Sequence, residues 1–137
     1  MGKKLLSMRS FILLVLFASG NCCDALGQSK LQEREAAYQA KLQSYSDVHK
    51  PGITRKNVED YLRAKGVAFG RFCCVDDRSA FADLVKIGKE KHPWYCEKHN
   101  VYIAFQFAAV ESHKAWEAYD SDALKRITIF HQLQGCL

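Results

Sequence analysis

The spacing of apolar residues changes several times along this chain, and each change predicts a different element. An unbroken apolar run fills positions 11–18. Between 28 and 46 apolar residues are sparse, and Leu31, Tyr38, Leu42 and Tyr45 fall near one stripe among polar helix formers. That pattern predicts a mostly solvated helix, a peripheral arm over 28–49 that packs only in part. His49, Lys50, Pro51 and Gly52 break it. A second helix follows with fuller punctuation. Thr54 is a good N-cap, and Ile53 and Val58 occupy the hydrophobic-staple positions. Val58, Tyr61 and Leu62 form the apolar face, and Gly66 stops the helix.

Beyond Gly66 the period shortens. Residues 67–75 read as a first strand that carries Cys73 and Cys74, and Asp76, Asp77, Arg78 and Ser79 as a turn. Positions 81–87 fit a strand or a short helix, closed by Gly88. A polar loop follows over 89–100. Val101, Ile103, Phe105 and Phe107 then alternate with Tyr102, Ala104 and Gln106, which predicts a strong strand with the latter three on its other face. After a loop over 111–122, Ile127, Ile129 and Leu133 alternate against Arg126, Thr128 and Gln132 as a terminal strand. Helices followed by strands imply an α+β fold, with N-terminal helices packed on one face of a three- to four-stranded antiparallel sheet.

The run at 11–18 is too short to span a hydrocarbon core, which takes about 20 apolar residues. Lys3, Lys4 and Arg9 precede it, and Ala25 and Gly27 are small residues placed for cleavage after position 27. This is the layout of a secretory signal peptide over 1–27, with Ala18 to Gly20 a second small-x-small site. The expected location is therefore exported, periplasmic or secreted. A lipid anchor on Cys22 is the less favoured alternative, because Asn21 stands where a small residue is wanted.

The chain of 137 residues carries a net charge of +5. Residues 1–27 hold three basic residues and one acidic one, so the remainder is +3 and its charges are dispersed. That favours solubility and argues against a nucleic-acid partner. About 110 residues suffice for one domain. Of the six cysteines, Cys73, Cys74, Cys96 and Cys136 lie beyond the leader. An even number in an oxidising compartment implies two disulfides. Consecutive strand residues point to opposite faces, so Cys73 and Cys74 are expected to pair separately with Cys96 and Cys136 rather than with each other.

Residues 50–62 resemble the opening of the SmpA/OmlA, or BamE-like, small bacterial envelope domains. Gly52, Ile53, Thr54, Val58 and Leu62 match the family's G-(apolar)-T-x-x-x-V-x-x-x-L segment. The resemblance covers about a tenth of the chain. It implies a BamE-like α+β domain over 50–137, with the helical layer ahead of a three-stranded antiparallel sheet, and an envelope location. Members of the outer-membrane assembly branch are lipoproteins, and the lipid-site pattern fails here at Asn21.

Candidate chemistry is sparse. His92, Cys96 and His99, with Cys73 and Cys74 nearby in sequence, hold enough soft ligands for zinc, although the spacing is irregular and in an exported protein the cysteines would be bridged. Cys96 with His131 would be a thiol nucleophile and its base. His131, however, falls in phase with apolar residues, where a lone histidine ordinarily belongs to the core or its rim. Asp76 and Asp77, and Asp120 with Asp122, read as turn residues rather than calcium loops. No glycine-rich phosphate loop, nucleophile elbow or zinc-protease motif is present, and no cofactor is expected. The aromatic pairs Trp94/Tyr95 and Trp116/Tyr119 lie in expected loops, where aromatics commonly anchor partners. The expected function is a non-catalytic binding module for a protein or another envelope component. The alternative is a thiol- or zinc-dependent protein using Cys96, His92 and His99.

Overall fold

The computed structural model describes residues 22–75, 81–109 and 117–137, with side chains from residue 27 onward. It contains α1 (Cys22–Val48), α2 (Arg55–Ala64), β1 (Gly70–Phe72), β2 (Ala82–Lys89), β3 (Lys98–Ala108) and β4 (Ala123–Gln134). The strands form one antiparallel sheet in the order β1-β2-β3-β4. The fold is thus α+β, with both helices ahead of the strands. The chain divides into two compact units, Met1–Glu35 and Ala36–Leu137. The described part of the first, 22–35, is helical; the expected leader lies largely outside the described residues. Among the described residues no helix is long and apolar enough to cross a membrane.

In the second unit the covered face of the sheet carries Val85, Ile103, Phe105, Phe107 and Leu124, which cluster with Val58 and Leu62 of α2 and Tyr45 of α1. Tyr45 meets Phe105 edge-on at 5.3 Å. Val58, Leu62, Ile103, Phe105 and Phe107 are fully buried, and each such side chain contributes on the order of 1.5–3 kcal/mol of hydrophobic stabilisation. The second half of α1 therefore supplies core. The opposite face is built differently: Ala82, Leu84 and Ala104 are overlaid by Phe72, Val75, Tyr102 and Phe130. The small alanines let Phe72 on one edge strand and Phe130 on the other approach to 5.6 Å between centroids.

The start of α2 is fixed by more than its own cap. Thr54 is extended (ψ 153°) and its hydroxyl accepts from the Asn57 N–H, as its side chain predicts. The free N–H groups of Arg55 and Lys56 donate to the carbonyls of Asp122 (2.8 Å) and Asp120 (3.1 Å) in the loop before β4. Gly52 (φ 94°) donates to the Leu124 carbonyl, and Leu124 donates back to Ile53, both at 2.7 Å. The residues that carry the family resemblance thus dock the helix onto the first residues of β4.

Three local expectations need adjustment. Positions 81–87, read as strand or helix, are strand, because β2 lies between β1 and β3 and pairs on both sides. Gly88 does not close that strand. It sits at a register shift between Lys86 and Gly88, a bulge that carries β2 on to Lys89. A side chain at 88 would meet the Tyr38 ring, whose Cε1 and Cζ lie 2.8 and 2.9 Å from a built Cβ. The first strand is also shorter than expected, ending at Phe72.

Gly88→Ala is expected to destabilise the protein by about 1–3 kcal/mol through this overlap. In a Tyr38→Ala background the same change should cost much less, which a double-mutant cycle of urea unfolding measures. Additive effects would show that Gly88 is not needed for the seating of Tyr38.

Candidate functional site

The structure pairs Cys73 with Cys74 and Cys96 with Cys136, which corrects the expected crossed pairing. The reason lies in the register. Cys73 follows Phe72, which pairs with the first residue of β2, whereas Cys96 lies beyond the other end, where Lys89 pairs with Asn100. The eight residues of β2 separate the two ends by about 26 Å, so neither Cys73 nor Cys74 reaches Cys96. Both also lie past the end of β1, so strand alternation does not aim them at opposite faces.

Cys96 is buried and sits on the loop of residues 90–97 that joins β2 to β3. Its bond to Cys136 ties that loop to the segment leaving β4. Two backbone bonds reinforce the tie, Glu97 N–H to the Gln134 carbonyl (3.0 Å) and Leu137 N–H to the Tyr95 carbonyl (2.9 Å), and within the loop Cys96 N–H donates to the Pro93 carbonyl (3.0 Å). On this clamped loop Trp94 is 89% exposed and Tyr95 43%, with rings edge-to-face at 5.8 Å and 88°. Leu133 and Leu137 add further exposed apolar surface at the same end of the sheet.

Tyr119 does not join this surface. Tyr119 precedes β4, whereas the Trp94 loop lies beside its last residues, so the twelve residues of β4 place them about 35–40 Å apart along the strand. Tyr119 is itself engaged, its hydroxyl bonded to Glu117 and its N–H donating to Asp122 at 3.0 Å. Trp116, Asp76 and Asp77 lie outside the described residues.

The proposed zinc ligands are not assembled either. Cys96 is in a disulfide, and His92 Nδ1 lies 3.1 Å from the neighbouring Pro93 carbonyl oxygen. Among the described residues no three His, Cys, Asp or Glu side chains are grouped to hold a metal. His99 instead meets His131 across β3 and β4, Nε2 to Nδ1 at 3.1 Å. The sequence offers His131 as a partner for Cys96 or as a residue of the core or its rim, not as a neighbour of His99.

The largest buried polar cluster escapes sequence reading. Arg55, the first residue of α2, is fully buried, with Nη1 2.7 Å from Asp83 Oδ1 and Nη2 3.4 Å from Asp122 Oδ2. Its Nη2 also donates to the Phe81 carbonyl, and its guanidinium lies 4.0 Å over the Phe107 ring. Beside it Glu59 accepts from Arg63 and from Arg71, at 2.9 Å from Arg71 Nη2. Asp122, read from sequence as a turn residue, is thus a buried counter-ion. An arginine opening a helix is ordinarily solvated, and no sequence signal marks this one. Arg55, Asp83 and Asp122 are fully buried, whereas the Arg63 and Arg71 side chains that reach Glu59 are exposed.

Two buried groups here titrate abnormally. Burial raises Asp83 from its ordinary 3.8 to about 6; Arg55 pulls it back and Glu59 pushes it further up. His49 is packed edge-on against Tyr61 and Phe105, and burial lowers it below its ordinary 6.5. No family model, curated protein or solved structure matches the chain.

Because the fold raises the Asp83 value, the stability from this group is fully present below about pH 3.8 and is lost as pH rises through about 6. The change is on the order of 3 kcal/mol. Asp83→Asn, which stays neutral, should therefore gain on wild type between pH 4 and pH 7 in urea unfolding. His49 acts in the opposite sense below 6.5, but it is present in both proteins and cancels in the difference. A gap that is constant with pH would show that Asp83 ionises normally.

Proposed function

We propose that this chain is an exported, non-catalytic binding module of the bacterial envelope that engages a partner protein through the ledge of Trp94 and Tyr95. The observation that carries the reading is the 89% exposure of Trp94 on a loop fixed at its base by Cys96–Cys136. An exposed indole contributes little to its own fold, whereas a tryptophan buried on binding is among the strongest interface anchors. Fixing the loop beforehand lowers the entropy lost on association. Leu133 and Leu137 widen the apolar surface around the ledge.

The leader-like segment at 1–27, the pairing of all four cysteines beyond it, and the BamE-like residues of 50–62 support the envelope assignment. The rival thiol mechanism would require Cys96 as a thiolate, and that sulfur is bonded to Cys136.

A photo-crosslinking residue placed at 94 or 95 in the exporting cell should give one discrete protein adduct, and the same residue at exposed Lys86 none. Trp94→Ala should change stability by no more than about 0.5 kcal/mol while weakening the partner by about 2 kcal/mol or more. Marked loss of stability, or equal crosslinking from 86, would overturn the assignment. Intact mass spectrometry checks export: the mature chain should begin at Gln28 and expose four thiols only after reduction. A chain still beginning at Met1 with free thiols would refute it.

A further inference from the structure

Where β3 begins and β4 ends, His99 and His131 stand side by side on the face that carries Val101, Ile103 and Ile129. Their register partners are Leu133 and Val101, so the two histidines are diagonal neighbours on adjacent strands. The rings lie 5.2 Å apart between centroids at 57°, and Nε2 of His99 is 3.1 Å from Nδ1 of His131. The second nitrogen of His99, Nδ1, lies 3.1 Å from the Lys91 carbonyl oxygen. A carbonyl only accepts, so Nδ1 carries the proton and the neutral ring turns its Nε2 lone pair toward His131.

From this geometry we propose that His99 and His131 form a two-histidine chelate for a divalent late transition ion such as Zn²⁺ or Cu²⁺, with His99 ligating through Nε2 and His131 through Nδ1. Imidazole nitrogens bind Zn²⁺ at about 2.0–2.1 Å. Two such ligands at 90–110° about one ion are roughly 2.9–3.4 Å apart, and the two nitrogens stand at that separation before any ion enters. The Lys91 carbonyl supplies the outer hydrogen bond that metal-binding histidines ordinarily make, which fixes the tautomer and the ring orientation. Backbone pairing and the Cys96–Cys136 bond hold both strands, so little order is lost when the ion binds. The remaining coordination positions face solvent and would be filled by water.

The proton count is simple. In the metal-free neutral pair His131 donates its Nδ1 proton to Nε2 of His99. Entry of the ion uses both of those lone pairs, and the His131 proton moves to Nε2, with no net release. The site therefore predicts a tautomer change at His131 alone.

The test is titration of the untagged, oxidised mature chain with ZnCl₂, followed by calorimetry and by imidazole nitrogen NMR. One ion should bind per chain, and the His131 proton should transfer from Nδ1 to Nε2 while His99 keeps its Nδ1 proton. His99→Ala or His131→Ala should weaken binding by roughly tenfold or more, and Zn²⁺ should no longer raise the melting temperature. His92→Ala should bind as wild type. His99 being half-buried and His131 exposed, His131→Gln with an unchanged melting temperature guards against loss of fold. Failure to saturate, equal binding by His131→Ala, or loss of binding in His92→Ala would overturn the proposal. None of these readouts involves the Trp94 partner, so the two assignments stand or fall separately.

Discussion

The placement of α2 depends on a fully buried guanidinium. Arg55 has no contact with water and must find its charge partners inside, which it does in Asp83 of β2 and Asp122 of the loop before β4. A buried ion pair is a poor source of net stability, since desolvation of the charges opposes their attraction. The raised value of Asp83 expresses that opposition: burial outweighs the pull of Arg55. What the pair does impose is geometry. This seating of α2 brings the guanidinium to both carboxylates and over Phe107. In that seating the first N–H groups of the helix meet the carbonyls of Asp122 and Asp120. The cap, the staple and the ion pair therefore select the same arrangement.

That arrangement divides the sheet by function. Near the start of β4, Leu124 is buried among Val58, Leu62 and Phe107, and the carboxylates of Asp83 and Asp122 face the Arg55 guanidinium. Towards its end the strand emerges: Ile127 and Ile129 are half-buried, and Leu133 is exposed. At the far end the Cys96–Cys136 bond adds a covalent tie. A disulfide restrains the chain without demanding apolar burial, so nearby side chains are released from packing. Trp94, Tyr95, His99 and His131 all belong to that released end.

Features governed by local rules were legible in the sequence. The Thr54 cap, the Ile53 and Val58 staple and the alternation of Val101, Ile103, Phe105 and Phe107 follow from neighbours a few residues away, and the structure contains each. Features that need the register were not. The helix-or-strand ambiguity at 81–87 is resolved only by pairing with β3. The cysteine pairing turns on which end of β2 each cysteine occupies. His131 was visible as a residue in phase with the apolar face, yet its neighbour His99 is 32 positions away and is found only through the β3–β4 ladder. Arg55 was illegible for a different reason: its carboxylates are 28 and 67 residues distant, and the amphipathic pattern of α2 assigns an arginine to solvent.

The vicinal pair and the long-range bridge also differ in what they can do for the fold. Closing a loop removes conformations from the unfolded chain in proportion to the logarithm of its length. Cys96–Cys136 closes a span of 40 residues containing β3 and β4, and so restrains the two strands that make most of the sheet. Cys73–Cys74 closes no such span and gains nothing by that route, so the entropic contribution rests with one bridge. That bridge is also the one beside the Trp94 ledge and the histidine pair. Reduction of Cys96–Cys136 would then loosen the fold and the exposed end together, because a single covalent link restrains both.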